Sequence, residues 1–149
     1  MRVLVLQGPN LNLLGSREPQ VYGTETLAAI EARLREKART WHDLELQFFQ
    51  SNSEGELIDW LHGQAPSAHA LILNPGGLAH TSVVLRDAVA AIGLPAVEVH
   101  ISNIFAREEF RQRSLLAGAC LATISGLGTF GYEAALEALA RRAELRRRS

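Results

Sequence analysis

Cysteine and lysine are nearly absent from this chain of 149 residues, and each absence excludes a kind of chemistry. With Cys120 as its only cysteine, the chain can form neither an intrachain disulfide nor a cysteine-based metal site. Cys120 lies in an apolar run, which favours a small core side chain. The only lysine, Lys37, lies in a charged stretch between Glu36 and Arg39, so we expect no buried lysine that forms a Schiff base.

Long apolar runs and a strong net charge are also missing. No run approaches the roughly 18 residues of a membrane-spanning helix, and no signal peptide is recognisable, so we expect a cytoplasmic protein without a membrane partner. The formal net charge of -1 gives no overall attraction to nucleic acid. The arginines within residues 141–148 are typical of the solvated end of a last helix.

Motifs for phosphate and metal are equally scarce. We expect neither a Gly-x-Gly-x-x-Gly nor a Gly-x-x-x-x-Gly-Lys-Ser/Thr pattern at the start of a helix, and we interpret the glycine pair Gly126 and Gly128 as a strand-to-helix turn. The sequence therefore gives no support for nucleotide phosphate binding. Metal-site spacing is also missing among the five histidines, which occupy positions 42, 62, 69, 80 and 100.

Apolar runs alternate with stretches of helical periodicity along the chain. We predict strands over residues 2–7, 44–50, 70–74, 96–100 and 120–125, helices over 24–40, 53–62, 81–92 and 131–148, and a short helical segment over 106–113. Such βα units predict a parallel sheet with helices on both faces. We therefore expect a single α/β domain over residues 1–149, with a flavodoxin-like, doubly wound five-stranded parallel sheet in three α/β/α layers.

Polar residues follow three of the predicted strands. The glycine- and proline-rich segment after the first strand supplies Asn10, Arg17 and Tyr22, and polar residues also occupy 74–77 and 98–102. In doubly wound sheets, ligands bind beyond the carboxyl ends of the strands. These three segments therefore predict a functional site at that edge.

Glu98 and His100 are two residues apart on a predicted strand, so their side chains point to the same side. The carboxylate can orient the imidazole and fix its tautomer, which suits a general acid. A structural ion pair at the strand end is the alternative. His80 and Asp87 are seven residues apart around a helix predicted from position 81, and they suit either a binding face or a capping histidine with a solvated aspartate.

Arg107 and Arg111 are four residues apart, and each can make bidentate contacts to a carboxylate. For Arg107, a surface salt-bridge network with the neighbouring glutamates is equally consistent, and we expect Arg113 to be solvated. In the first loop, a guanidinium beside Tyr22 would favour a phenolate that is otherwise scarce at neutral pH. Without further context, a packed Tyr22 with an exposed Arg17 is the favoured interpretation.

Six segments taken together resemble the type II 3-dehydroquinate dehydratases. They are Gly-Pro-Asn-Leu-Asn-Leu-Leu-Gly-x-Arg-Glu-Pro-x-x-Tyr-Gly at 8–23, Gln-Ser-Asn-x-Glu-Gly-Glu-Leu-Ile-Asp at 50–59, Asn-Pro-Gly-Gly-Leu-x-His-Thr-Ser-Val-x-Leu-Arg-Asp-Ala at 74–88, Glu-Val-His-Ile-Ser-Asn at 98–103, Arg-Glu-Glu-Phe-Arg at 107–111 and Gly-Leu-Gly-x-x-Gly-Tyr at 126–132. The resemblance covers nearly the whole chain in order. One departure is Ser53, where many members carry histidine.

The resemblance implies a hydro-lyase that reversibly dehydrates 3-dehydroquinate to 3-dehydroshikimate, by anti elimination through an enolate and with neither a metal nor an organic cofactor. It implies Tyr22 as the base, supported by Arg17. It further implies His100 as the acid with Glu98 behind it, and Asn10 near a water that steadies the enolate.

The resemblance also implies the residues that hold substrate, which are Asn74, His80, Asp87, Ile101, Ser102 and Arg111. The backbone of Ile101 and Ser102 would bind the substrate carboxylate. A homododecamer built as a tetramer of trimers is implied, in which Asp87 can reach a neighbour's site. Whether the enzyme serves the shikimate pathway and aromatic amino acid biosynthesis or quinate catabolism stays open.

Two other interpretations have distinct requirements. A Schiff-base dehydratase of the unrelated type I class would need Lys37 as its reactive lysine. A flavodoxin-like binding or signalling module of the receiver type would carry acidic residues after the first strand, where this chain has residues 8–10, Gly-Pro-Asn. A flavin-binding module would be yellow when purified.

Overall fold

The computed structural model describes residues 1–148. Its five strands are β1 (Arg2–Gln7), β2 (Glu45–Gln50), β3 (Ala70–Asn74), β4 (Ala96–His100) and β5 (Ala122–Ser125). They form one sheet in the order β2-β1-β3-β4-β5, and every neighbouring pair is parallel. This is the flavodoxin-like order, so the predicted fold class is confirmed.

Helices connect the strands and cover both faces of the sheet. They are α1 (Pro19–Tyr22), α2 (Leu27–Ala38), α3 (Glu54–Gln64), α4 (Val83–Ile92) and α5 (Phe130–Arg148). Short 3-10 turns occupy Leu11–Leu13, Ala65–Ser67, Gly76–His80, Ile104–Ala106, Glu109–Arg111 and Ala117–Ala119. None of the helices in residues 1–148 has the length and apolar character needed to cross a membrane.

The alternation of side chains along β1 explains why the sheet has two cores. Val3 and Val5 pack into a cluster with buried side chains of α2 and α5. Leu4 and Leu6, which point the other way, pack with buried leucines of α3 and α4. Because β1 is apolar from Val3 to Leu6, it needs helices on both faces, which is what three layers provide.

Helix caps account for most of the differences from the predicted boundaries. The helix predicted from position 24 begins at Leu27, because the Thr26 hydroxyl accepts the backbone N–H of Ala29 at 3.2 Å. The segment predicted as helical over 106–113 is two separate 3-10 turns. β5 is shorter than predicted and begins at Ala122.

The expectation that no Gly-x-Gly-x-x-Gly pattern opens a helix is wrong for the glycine pair at 126 and 128. Together with Gly131 this pair has the Gly-x-Gly-x-x-Gly spacing of dinucleotide-binding loops, and it joins β5 to α5. An anion from the chain itself already lies there, since Thr129 Oγ1 donates to the Glu25 carboxylate at 2.5 Å. A Cβ at Gly131 would lie 3.1 Å from Val99 Cγ1, so this glycine allows close packing of α5 on the sheet.

The ends of β1 and β3 approach each other closely at the carboxyl edge of the sheet. A Cβ at Gly8 would lie 2.3 Å from the carbonyl oxygen of Pro75, so only glycine fits there. Gly76 has a φ of 58°, which lets the chain turn directly after β3. The loops that follow these two strands are thereby held side by side.

Candidate active site

One cavity opens at the carboxyl edge of the sheet and encloses about 150 Å³. It is lined by Asn10, Leu11, Arg17, Tyr22, Asn74, Gly76, Gly77, His80, His100, Ile101, Ser102, Ile104, Arg107 and Arg111. All of the site residues that the sequence predicts lie in this set except Glu98 and Asp87. The polar segments that follow β1, β3 and β4 therefore meet in one place.

The charges at the cavity wall are of one sign. Arg17, Arg107 and Arg111 supply three guanidinium groups, and no Asp or Glu of the described chain is among the lining residues. Guanidinium groups recognise carboxylates through paired hydrogen bonds. The arrangement therefore suits a small anionic ligand.

Two of these arginines lie against Tyr22. Arg107 Nη1 donates to the Tyr22 hydroxyl at 3.2 Å and to Ser102 Oγ at 3.2 Å. The Cζ atom of Arg17 lies 4.9 Å from the centre of the Tyr22 ring. The hydrogen bond with Tyr22 raises the pKa of Arg107 above its usual value, although burial partly opposes the rise. Both contacts favour negative charge on the phenol oxygen.

The contact with Tyr22 gives Arg107 a partner that neither of its two sequence interpretations includes. Its side chain is largely buried and reaches the phenol, while its Nε atom also lies 3.6 Å from a Glu108 carboxylate oxygen. The charge network therefore exists, but it does not hold the guanidinium at the surface. Tyr22 and Arg107 are 85 residues apart, so no local pattern could have shown this contact.

The Glu98 and His100 side chains form the expected pair at the end of β4. His100 Nε2 lies 2.6 Å from Glu98 Oε1, and both side chains are buried. The same carboxylate oxygen accepts a hydrogen bond from Ser114 Oγ at 2.6 Å. Glu98 lies behind the imidazole and outside the cavity lining, so His100 is the member of this pair that faces the cavity. No sequence pattern singles out Ser114.

His80 and Asp87 do not share the helix face that their spacing predicts. His80 lies in the Gly76–His80 turn, and α4 begins only at Val83. The imidazole reaches the cavity, and its Nδ1 donates to the carbonyl oxygen of Arg113 at 2.8 Å. Asp87 is exposed outside the cavity and lies 3.2 Å from Arg86 Nη1. Within a single copy of the chain, these two residues are therefore not brought together.

The segment after β2 holds Asn10 in place. Asn10 has a φ of 69°, and its backbone N–H donates to Asn52 Oδ1 at 2.9 Å. Gln50 Nε2 donates to the same oxygen at 3.1 Å and to the carbonyl of Gly8 at 3.2 Å. Through these bonds, the Gln-Ser-Asn segment supports the left-handed conformation from which Asn10 reaches the cavity.

A buried phenol fixes the amide of Asn74. Asn74 Nδ2 donates to the Tyr132 hydroxyl at 2.7 Å, and that hydroxyl donates to Gln7 Oε1 at 2.7 Å. Asn74 Oδ1 accepts the backbone N–H of Gly76 at 3.1 Å. With a distinct partner on each amide atom, the orientation of Asn74 at the cavity wall is determined.

The remaining expected residues have simpler surroundings. Arg111 Nε lies 2.9 Å from a Glu108 carboxylate oxygen. Lys37 is remote from the cavity lining and pairs with Glu137 at 3.1 Å. Among residues 1–148, no group of three or more His, Cys, Asp and Glu side chains is arranged to hold a metal ion.

Comparisons with known proteins identify the family of this chain. Residues 1–140 match the family model described as dehydroquinase class II. The chain is 58% identical over 138 residues to a 3-dehydroquinate dehydratase of Desulforudis audaxviator, covering 93% of this chain and 91% of the relative. It is 46% identical over 147 residues to a catabolic 3-dehydroquinase of Verticillium alfalfae, covering 99% and 97%.

A solved structure gives the same result for the fold. The type II dehydroquinase of Butyrivibrio crossotus superposes with a TM-score of 0.90 at 38% identity, covering 93% of this chain and 97% of that one. The match to the family model spans most of the chain, and the curated relatives cover nearly all of it. This chain belongs to the class II dehydroquinase family.

Proposed function

We propose that this chain catalyses the reversible dehydration of 3-dehydroquinate to 3-dehydroshikimate in the arginine-lined cavity. Membership of the family supports the substrate and the reaction. The observation that carries the mechanism is that Tyr22, in contact with Arg107, and His100, with Glu98 behind it, line the same cavity. An elimination next to a ketone needs a base and an acid, and these two pairs supply them.

Tyr22 is the base that removes the proton next to the ketone. A phenolate is the reactive form, and the guanidinium groups of Arg17 and Arg107 stabilise its charge. Arg107 also bonds Ser102, so its position does not depend on the first loop alone. General base catalysis of this kind contributes roughly 10²–10⁴-fold to the rate.

His100 is the acid that protonates the departing hydroxyl group. Its Nε2 atom is bound to Glu98, so its other ring nitrogen, which has no protein partner in residues 1–148, holds the proton for the substrate. Glu98 orients the imidazole and balances its positive charge. Loss of the hydroxyl as water then completes the elimination, and the proton of the acid leaves with it.

The other cavity residues bind and orient the substrate. Asn10 holds a water that steadies the enolate oxygen, and Asn74 and His80 contact the substrate hydroxyl groups. The backbone of Ile101 and Ser102 and the guanidinium of Arg111 receive the carboxylate. Each of these residues lines the cavity, and the cation-rich wall matches an anionic substrate.

We also propose assembly as a homododecamer, a tetramer of trimers, in which Asp87 acts in the cavity of a neighbouring copy. In support, Asp87 is exposed on α4 beside Val83 and Val84, two large apolar side chains that are also more than half exposed. A mass of about twelve chains by light scattering is expected, and a stable monomer would contradict the assembly. Cytoplasmic location stays a prediction, which cell fractionation would test.

The activity is tested by ultraviolet absorbance after 3-dehydroquinate is added to metal-stripped protein, with and without borohydride pretreatment. We expect the conjugated enone signal of the product to grow equally in both samples. Loss of activity after borohydride with substrate would indicate an imine at Lys37, and absence of the signal from folded, assembled protein would refute the dehydratase function.

A further inference from the structure

Ser114 touches Glu98 but not the cavity, and its hydrogen bonds leave only one direction for its proton. A serine hydroxyl has one proton to donate and two lone pairs that accept. Both lone pairs are used, because Ser114 Oγ accepts the backbone N–H groups of Leu116 at 3.1 Å and Ala117 at 3.2 Å. The Ser114 proton must therefore be donated to Glu98 Oε1, which lies 2.6 Å away.

Glu98 depends on this donor to an unusual degree. Its side chain is fully buried, and its second oxygen, Oε2, has no hydrogen-bond partner among the described residues. The carboxylate is thus supported by only two side-chain contacts, those of Ser114 and His100, and both are made at Oε1. Donated hydrogen bonds stabilise the ionised form of a carboxyl group, and a buried site strengthens the effect.

We propose that Ser114 is a positioning residue that keeps the proton of the Glu98–His100 hydrogen bond on the imidazole. By stabilising an ionised Oε1, it makes Nε2 the atom that carries this proton, so the second ring nitrogen is left to hold the proton that substrate receives. Ser114 acts through Glu98 and touches no substrate. The inference rests on the proposed function, because it gives His100 the role of acid.

Two other titratable groups, His80 and Cys120, lie near the Glu98–His100 pair. The His80 ring lies 6.3 Å from the His100 ring, centre to centre, on the turn after β3. The Cys120 thiol precedes β5, where burial and then the charge of Glu98 raise its pKa to about 12. A neutral thiol neither takes the proton nor competes for Glu98 at neutral pH. Ser114 is therefore the group that biases the proton of the pair.

The direction of the expected pH effect depends on which protonation state of the His100 imidazole leaves Glu98 more dependent on the Ser114 hydrogen bond. The hydroxyl stabilises Glu98 most when the imidazole has lost its proton, because the carboxylate charge is then unbalanced. Removing the hydroxyl makes that loss of a proton less favourable. The basic limb of the pH profile of kcat should therefore move to higher pH, by about half a unit or more.

The test compares Ser114→Ala with Ser114→Thr, which keeps the hydroxyl, and with Ser53→Ala. Ser53 is the matched control, since its hydroxyl likewise accepts a backbone N–H, that of Glu56 at 3.4 Å, but touches no cavity residue. For Ser114→Ala we expect kcat to fall roughly three- to tenfold, with KM within about twofold and the basic limb shifted. The threonine and control variants should keep the wild-type limb.

An unshifted basic limb in Ser114→Ala would overturn the proposal, as would the same shift in Ser53→Ala or in Ser114→Thr.

A second measurement, by nuclear magnetic resonance, needs no substrate. In protein with nitrogen-15-labelled histidine, with His100→Gln used for assignment, Nε2 of His100 should stay protonated across the titration, and the titration midpoint should be higher in Ser114→Ala. Equal midpoints would also overturn it. If the wild-type protein did not dehydrate 3-dehydroquinate, the proposed function would fail, whereas this titration would still decide the role of Ser114.

Discussion

The two tyrosines of this chain show how environment gives one side chain two different roles. Tyr22 lies in a short helix of the first loop, partly exposed, with its hydroxyl on the Arg107 guanidinium and its ring beside Arg17. Tyr132 is fully buried in α5, and its hydroxyl lies between two neutral amides, those of Asn74 and Gln7. Cations surround one phenol, and dipoles surround the other.

The surroundings of Tyr22 suit a chemical role, and those of Tyr132 suit a structural one. Positive charge beside Tyr22 favours a phenolate, which a base requires. At Tyr132, burial raises the pKa of the phenol above its usual value, and the hydrogen bonds of Asn74 and Gln7 only partly oppose the rise. Tyr132 therefore stays neutral and can both donate and accept. The identity of a residue as tyrosine therefore does not reveal its role until the charges around its hydroxyl oxygen are known.

The largest expected effect is that of Tyr22→Phe, which removes the base and keeps the ring. We expect kcat to fall by roughly 10³-fold or more, within the range for general base catalysis, while substrate still binds. Initial rates of enone formation and substrate binding by calorimetry would measure both. Tyr132→Phe, which removes the other phenol, should lower kcat far less, and a Tyr22→Phe variant with full activity would remove Tyr22 as the base.

The next largest effect is expected at Arg107, the cation that contacts the Tyr22 hydroxyl and has no counterpart beside Tyr132. Arg107→Gln leaves a hydrogen-bond donor near the Tyr22 hydroxyl but removes the charge, so kcat should fall roughly 10²-fold. The loss should be greatest at low pH, where the phenolate is scarcest. The pH profile of kcat measures this loss, with Arg39→Gln as the control, because Arg39 is an exposed arginine that directly follows α2. Equal losses at every pH would indicate substrate binding as the main role of Arg107.

The sheet was predictable from sequence to a greater extent than the site. β1, β3 and β4 have the predicted boundaries, because strands buried on both faces are apolar runs that end sharply. β5 does not, since its first residues are exposed and its pattern is weak. Helix ends differ by a few residues because caps are decided by individual side chains.

Without the family resemblance, the cavity lining was predictable only at the ends of strands. His100 and Asn74 end their strands, so the topology alone brings them to the edge. The contacts of Arg107 with Tyr22 and of Tyr132 with Asn74 join residues 85 and 58 positions apart, and no periodicity records them. Ser114 is missed for the same reason, because its role depends on a carboxylate on another element.

A smaller effect is expected from Tyr132→Phe, which tests the architectural side of the comparison. Removing the hydroxyl leaves the Asn74 and Gln7 amides without a buried partner, which costs about 1–3 kcal/mol of unfolding free energy. Because Asn74 lines the cavity, KM should rise more than kcat falls. Urea unfolding and steady-state kinetics measure the two effects. A variant as stable as the wild type would show that the hydroxyl is not needed to hold the amides.

The smallest expected effect is the tyrosinate absorbance of Tyr132 in an alkaline titration. The Tyr22→Phe variant isolates it, because Tyr132 is the only tyrosine left there. Its folded-state pKa is raised, so its contribution to stability is fully present below the unfolded value of about 10 and is lost as the pH rises further. Tyrosinate absorbance should therefore appear only together with loss of the native circular dichroism. Absorbance that develops near pH ~10 in folded protein would mean that water reaches this phenol, and the contrast between the two tyrosines would then be one of position alone.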